Sequence, residues 1–211
     1  MEAGETITFK YAVIFLLHML QNNNRERISN VFFDDPLGEL QLREISRNVR
    51  VAPPSVKRYL KELKKDELIL STRHKLYGYP VYHANRESPY FRFLKRMTLV
   101  KQLYPIIEQI QKTCHAECII LYGSASRGED TKESNIDIFI RSDPNELRLE
   151  RFEKKLNRKF HFLFRKSFDS LSNELKNNIL NGIVLYGYIT VFDSRNAGQG
   201  KSTVNAPNGN L

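Results

Sequence analysis

The residues best suited to chemistry lie in the segment 121–140, which reads LYGSASRGEDTKESNIDIFI. Gly123 and Ser124 end an apolar, strand-like run, so the backbone can turn sharply and bring amide N–H groups and a hydroxyl to one point. Such a point suits a triphosphate, particularly where a helix begins. Arg127 could add positive charge, and Gly128 would let the chain approach a ligand closely. We therefore expect these four residues to form a site for a triphosphate.

Positions 135 and 137 share one face of the strand that follows, because side chains alternate along a strand with period two. Two carboxylates there and a third on a neighbouring strand would hold two Mg²⁺ ions for a nucleotide-transfer reaction. The chain carries Asn135 and Asp137 instead, and the next strand, RKFHFLF, offers His161 where the third acid would stand. We expect Asn135 and Asp137 at the catalytic position, with Asp137 the ligand of a single, weakly held Mg²⁺.

GSASRG followed by SNIDIF resembles the signature of the nucleotidyltransferase superfamily typified by DNA polymerase β, in its minimal form. The resemblance implies phosphate contacts at Gly123 and Ser124 and a metal ligand at Asp137. It covers 117–141 directly and about 115–193 by element order, and the departure at Asn135 implies a catalytically weak or inactive domain. The whole chain is also similar to archaeal proteins that fuse a winged helix to such a domain. We interpret three loop acids as solvated, one of which could replace a missing ligand: Glu129, Asp130 and Glu133.

The net charge of +9 favours a polyanionic partner such as nucleic acid. Between Gln41 and Arg86 the chain has eleven Lys and Arg against four Asp and Glu, a net charge of +7. This localised excess indicates a binding surface more than a general solubility feature.

Two amphipathic runs about a short connector make up residues 42–65. In the first run, apolar residues recur on one face, and Pro53 then opens a second helix, where proline is tolerated in the first turn. At 100° per residue the apolar residues of the second helix face inward and its basic residues project on the opposite side. Two short helices of this kind, the second outwardly basic, are typical of a helix-turn-helix.

Two β-rich runs, 68–72 and 79–84, follow the second helix, and their connection is basic. A basic hairpin directly after a recognition helix is typical of a wing. The alternative for each single feature is a solvated charged helix and an ordinary hairpin. Taken together they predict binding of double-stranded DNA through these residues: Arg43, Ser55, Lys57, Arg58, Lys61, Lys64, Arg73 and Lys75.

The order of elements predicts an α+β or α/β chain, with an N-terminal winged helix-turn-helix followed by a small nucleotidyltransferase-like mixed sheet flanked by helices. After a long helical stripe come strands at 117–122, 135–141 and 159–164, helices at about 145–156 and 168–180, and a last apolar stretch. We expect five parts: an apolar helix at 1–24, the winged helix-turn-helix at 25–86, a connecting helix at 87–113, the nucleotidyltransferase-like domain at 114–193, and a disordered tail at 194–211.

The apolar helix expected within 6–21 has no polar face and is normally buried. We predict that it mediates a homodimer; the alternative is that it fills a groove against the long helix of its own chain. Its run Tyr11–Leu20 is too short to span a bilayer, so no membrane partner is expected. Two cysteines are too few for a disulfide framework, which indicates a reducing cytoplasm.

Three functions remain open from the sequence. The first is a DNA-binding, transcriptional-regulator-like protein whose nucleotidyltransferase-like domain binds a nucleotide such as ATP, or a partner, with little or no catalysis. The second is an active enzyme that transfers a nucleoside monophosphate to a protein or small-molecule hydroxyl. The third is an antitoxin-like protein-interaction module. The basic helix favours the first, whereas the intact Gly-Ser turn and Asp137 favour the second.

Overall fold

The computed structural model describes residues 24–168 and 170–189. The predicted N-terminal apolar helix and the predicted disordered tail lie outside these residues. Within the described ranges, no helix combines the length and apolar character needed to cross a membrane. The described elements form a mixed α and β structure with thirteen helices and strands.

Three helices and a β-hairpin form the first part of the chain, here called the helix–hairpin unit (residues 24–84). The backbone N–H of Gln41 donates to Glu44 at the start of the second helix (3.4 Å), and Arg50 ends that helix in the left-handed conformation. Leu40 and Tyr82 exchange two backbone hydrogen bonds of 2.9 Å, which fasten the hairpin to the helices. Its elements are α1 (Asn24–Asp34), α2 (Leu42–Val49), α3 (Pro53–Lys65), β1 (Ile69–Arg73) and β2 (Pro80–Ala84).

One long helix, α4 (Pro89–Cys114), follows and has Ser88 as its N-cap. Phe91, near its start, is buried in the core of the helix–hairpin unit together with Phe32 and Leu60. Five residues of its second half are buried in the core of the following sheet: Leu99, Leu103, Ile106, Ile107 and Ile110. A single helix therefore contributes side chains to two hydrophobic cores.

A four-stranded sheet forms the last part, here called the sheet unit (residues 118–187). Its elements are β3 (Cys118–Tyr122), α5 (Gly123–Arg127), β4 (Ile136–Ile140), α6 (Glu150–Leu156), β5 (Phe160–Phe164), α7 (Asn173–Leu180) and β6 (Ile183–Gly187). The strand order is β5-β4-β3-β6; β3 is antiparallel to β4 and β6, and β4 is parallel to β5. Side chains alternate between two cores, so the sheet is covered on both faces.

The predicted elements of the described region are present, with two changes in length. Helix α6 begins at Glu150 instead of about Asn145, and α7 begins at Asn173 instead of about Phe168. For α7 the cause is Ser172, whose hydroxyl accepts a hydrogen bond from the N–H of Leu175 (3.3 Å) and caps the helix there. The last apolar stretch contains the edge strand β6, which pairs with β3.

Candidate functional site

The Gly-Ser turn lies between β3 and the short helix α5. Gly123 has a φ of +73°, a conformation that favours glycine. A Cβ atom added there would lie 2.7 Å from Oδ2 of Asp137. Asp137 on β4 is the register partner of Tyr122, the last residue of β3. The sequence therefore needs glycine at 123 for two reasons, the backbone conformation and the carboxylate of Asp137 that occupies the space.

Asp137 and His161 contact each other across two neighbouring parallel strands. Their positions are direct register partners in β4 and β5, and Nδ1 of His161 lies 3.0 Å from Oδ1 of Asp137. The His161 side chain is 63% exposed and that of Asp137 is 27% exposed. The expectation that His161 lies next to Asp137 on the neighbouring strand is confirmed, and the chain thus has an imidazole beside this carboxylate.

The donor set at this point does not fit two Mg²⁺ ions. Asp137 contributes one carboxylate, Asn135 is an exposed neutral amide just before β4, and His161 offers nitrogen instead of the anionic oxygen that Mg²⁺ prefers. Among the described residues, no three His, Cys, Asp or Glu side chains come together in a way that could hold a metal ion. No transfer step through a pair of ions follows from this arrangement.

Tyr122 adds an ionisable group beside the same aspartate. Its side chain is buried at the end of β3, opposite Asp137. Burial raises the pKa of the Tyr122 phenol, and the negative charge of Asp137 raises it further. The phenol is therefore neutral at physiological pH, and Asp137 is the acidic group of the turn.

Arg127 and Gly128 are engaged within the protein. Nε of Arg127 donates to Glu129 (2.7 Å), and this hydrogen bond is the main reason that the pKa of Glu129 is lowered. Gly128 has a φ of +72°, and an added Cβ would lie 2.6 Å from the carbonyl oxygen of Arg92 in α4. The close approach made possible by Gly128 is thus to the backbone of α4, and its predicted contact with phosphate stays a prediction.

Asp130 is not a solvated loop acid, so that part of the interpretation is wrong. It is 2% exposed, with Oδ1 2.9 Å from Nζ of Lys95 and Oδ2 2.7 Å from Nη1 of Arg158. Arg158 also donates to the carbonyl oxygens of Ser134 (2.6 Å) and Asn135 (3.2 Å). These contacts join α4 to the residues that lead into β4, and so hold the strand that carries Asp137.

A signal for this buried network exists in the sequence. Lys95 lies midway between Phe91 and Leu99 at intervals of four residues, within the apolar stripe of α4. A lysine at a core position requires a buried acidic partner or hydrogen bonds. That requirement could have pointed to a buried acid in the sheet unit, although not to Asp130 in particular.

The predicted basic face is present on α3. Val56, Leu60 and Leu63 are buried, whereas the cationic side chains opposite them are exposed. Arg58 is held over the ring of Tyr59, with its guanidinium carbon 4.8 Å from the ring centroid. Four of the exposed cations of α3 are here called the α3 basic face: Lys57, Arg58, Lys61 and Lys64.

The other predicted DNA contacts lie on α2, on α3 itself and in the hairpin. Arg43 is exposed on α2, and Ser55 is half-buried in the first turn of α3. Arg73 ends β1 and Lys75 lies in the turn of the hairpin, both exposed. The rings of His74, Tyr77 and Tyr79 stack at that end of the hairpin, with centroids 4.7–6.1 Å apart.

Residues 105–188 match the family model described as Polymerase beta, Nucleotidyltransferase. The match covers the sheet unit and the end of α4, and confirms the predicted nucleotidyltransferase domain at the level of the family. The comparison with curated proteins gives no significant match. A crystal structure of the adhesin competence repressor (AdcR) from Streptococcus pyogenes is similar over 52% of this chain and 84% of that chain, with 11% identity and a TM-score of 0.35. A similarity at that TM-score carries no argument about function.

Proposed function

We propose that the protein is a DNA-binding regulator that joins a winged helix-turn-helix to a nucleotide-binding domain of the nucleotidyltransferase type with little or no transfer activity. The observation that carries this proposal is the α3 basic face, which projects from a helix whose other side is buried. The order α1, α2, α3 and hairpin supports the winged-helix interpretation.

The dimensions of α3 suit the major groove of DNA. Thirteen residues make a helix about 20 Å long. The major groove is about 12 Å wide and admits one α-helix. The basic side chains at 57, 61 and 64 recur at intervals of four and three residues, so they lie in a row along the helix. A row of this kind can follow the phosphates at the edge of the groove.

The sheet unit supports nucleotide binding more than catalysis. The turn at Gly123 has the left-handed backbone that glycine favours and lies beside the Asp137 carboxylate, while Asn135 and His161 do not supply the negative charge that two ions need. Asp137 would hold at most one Mg²⁺ together with phosphates of the nucleotide. An active transferase remains the second candidate, favoured by the contact between the turn and Asp137.

The proposal is tested by selecting duplexes from a DNA library over successive rounds of retention on the protein. The affinity for a selected duplex is then measured by fluorescence anisotropy. Lys57→Ala with Lys61→Ala should weaken binding because two phosphate contacts are lost. A variant with Lys112→Ala and Lys154→Ala removes the same charge from exposed positions outside the helix–hairpin unit and should bind as the wild type does. Equal loss in both variants would show that total charge, and not the α3 basic face, determines binding.

A homodimer is part of the proposal, because one basic helix contacts few bases and two half-sites combine their energies. Sedimentation velocity on the full chain at micromolar concentration measures the assembly directly. A monomer under conditions in which the protein is bound to DNA would reject the dimer while leaving DNA binding intact.

A further inference from the structure

Helix α4 has a second apolar face that neither core uses. Tyr90, Phe93, Met97 and Tyr104 are between 46% and 55% exposed in the described part of the chain. Their spacing of three, four and seven residues places them within about 60° of one another around the helix. We call these four residues the α4 stripe. Surface apolar residues are common singly, but a row along one helix face is typical of a contact surface.

The exposed apolar area of the α4 stripe is about the area that one packed helix covers. Large apolar side chains carry about 200 Å² each, so four that are half-exposed present about 400 Å². A stable interface between two proteins buries about 800 Å² on each partner, and rarely less than about 600 Å². The stripe alone is too small to pair two copies through α4, whereas a short amphipathic or apolar segment would cover it.

The chain enters the described structure beside the stripe. Oε1 of Glu26, in the first turn of α1, lies 2.7 Å from Nζ of Lys101 on α4. Lys101 follows Met97 by four residues and precedes Tyr104 by three, so it lies on the same face as the stripe. The ion pair thus holds the N-terminal end of α1 beside the exposed α4 stripe.

The segment that precedes α1 has the matching composition. Residues 6–21 include Phe9, Val13, Leu17 and Leu20, and apolar residues surround the axis of the helix expected there. Only residues 22 and 23 separate this segment from Asn24, which limits their span to about 10 Å. So short a tether gives an effective concentration in the millimolar range for a site beside α1.

We propose that residues 6–21 dock on the α4 stripe of their own chain. Docking buries the stripe and one side of the segment together, which removes both apolar surfaces from water. The tether favours the same chain over a second copy. The proposal does not depend on DNA or nucleotide binding, and the outer side of the docked segment stays free to contact another subunit.

A single tryptophan can report on the stripe, because the sequence contains none. Met97→Trp in the full chain should give blue-shifted emission that is independent of protein concentration. Adding Val13→Glu and Leu17→Glu should shift that emission to the red, because two charges cannot be buried against the stripe. Tyr77→Trp at the exposed end of the hairpin is the matched control and should not respond to the same two glutamates.

Disulfide trapping distinguishes docking of residues 6–21 on their own chain from docking on a second copy. Leu17→Cys combined with Met97→Cys should oxidise to a cross-link within one chain, located by peptide mass mapping. Leu17→Cys combined with Lys166→Cys, an exposed position of the sheet unit, should not. A cross-link between two chains would overturn the proposal in favour of exchange between subunits. Docking would be overturned altogether by two results together: the emission of the Met97→Trp variant does not change when Val13→Glu and Leu17→Glu are added, and no cross-link forms.

Discussion

Lys95 and Asp130 form a buried ion pair between α4 and the loop before β4, with Nζ and Oδ1 2.9 Å apart. Both side chains are at most 5% exposed. Burial lowers the pKa of the Lys95 ammonium, and the charge of Asp130 opposes that effect. Such a pair adds little net stability over apolar residues, but removing one member leaves the other charged and buried.

Asp130→Ala should therefore lower the free energy of unfolding by about 3–5 kcal/mol. Combining Lys95→Met with Asp130→Leu should cost less than the sum of the two single changes, since neither member of the Lys95–Asp130 pair then stays buried without the other. Arg158 loses its acidic partner in both variants that lack Asp130. Urea denaturation of the wild type, Lys95→Met, Asp130→Leu and the double variant gives the interaction energy between the two positions. Asp143→Ala breaks an exposed pair with Lys166 and should cost about 0–1 kcal/mol. Equal costs for Asp130→Ala and Asp143→Ala would contradict a structural role for the buried pair.

Glu153 predicts a pH dependence of stability. Its carboxylate accepts hydrogen bonds from Lys159 (2.8 Å) and the N–H of Phe160 (3.1 Å), which hold its pKa below the ordinary value of 4.5. The folded state thus binds the proton more weakly than the unfolded state does. The stabilisation is present above pH 4.5 and is lost as the pH falls through the lowered pKa.

Glu153→Gln should accordingly be less stable than the wild type at neutral pH, and the difference should shrink as the solution is acidified below 4.5. Denaturant midpoints of both proteins across that range measure it. Glu150→Gln, at the exposed start of the same helix, is the control. A difference between wild type and Glu153→Gln that does not change with pH would mean that these hydrogen bonds do not depend on the charge.

Restoring an acid at 135 should strengthen metal-dependent nucleotide binding. Asn135→Asp puts a second carboxylate beside Asp137, and Mg²⁺ prefers anionic oxygen. Titration of ATP with and without Mg²⁺ measures the gain, and Asn48→Asp on α2 adds the same charge in the helix–hairpin unit as a control. Robust transfer by the wild type that is abolished by Asp137→Ala would instead establish the active enzyme. If Mg²⁺ has no effect even in Asn135→Asp, the turn is structural.

DNA affinity should depend steeply on salt. About six phosphate contacts correspond to a loss of about 10³-fold in affinity between 50 and 200 mM salt. The variant with Lys57→Ala and Lys61→Ala should have a slope of log affinity against log salt that is smaller by about two. Anisotropy titrations at several salt concentrations provide the slopes. An unchanged slope in that variant would place the phosphate contacts elsewhere.

Periodic features were predictable from the sequence, and contacts between distant residues were not. The shared face of positions 135 and 137 and the exposure of the α3 basic face follow from periods of 2 and 3.6 residues, which local sequence contains. The register of Asp137 with His161 depends on the pairing of β4 with β5. Asp130 meets Lys95 and Arg158 at separations of 35 and 28 residues, and nothing periodic marks the loop in which it lies. Its burial depends on the packing of α4 against the sheet unit. The contact of Gly128 with Arg92 was missed for the same reason.

Because α4 contributes to two cores, it also determines where the chain could be divided to move one unit into another protein. A break before α4 removes Phe91 from the core of the helix–hairpin unit, and a break after it removes five buried side chains between Leu99 and Ile110 from the core of the sheet unit. Either unit moved into another protein must therefore take a copy of the helix with it. Substitutions at the buried positions of α4 are therefore limited by the packing of two cores that meet on one helix.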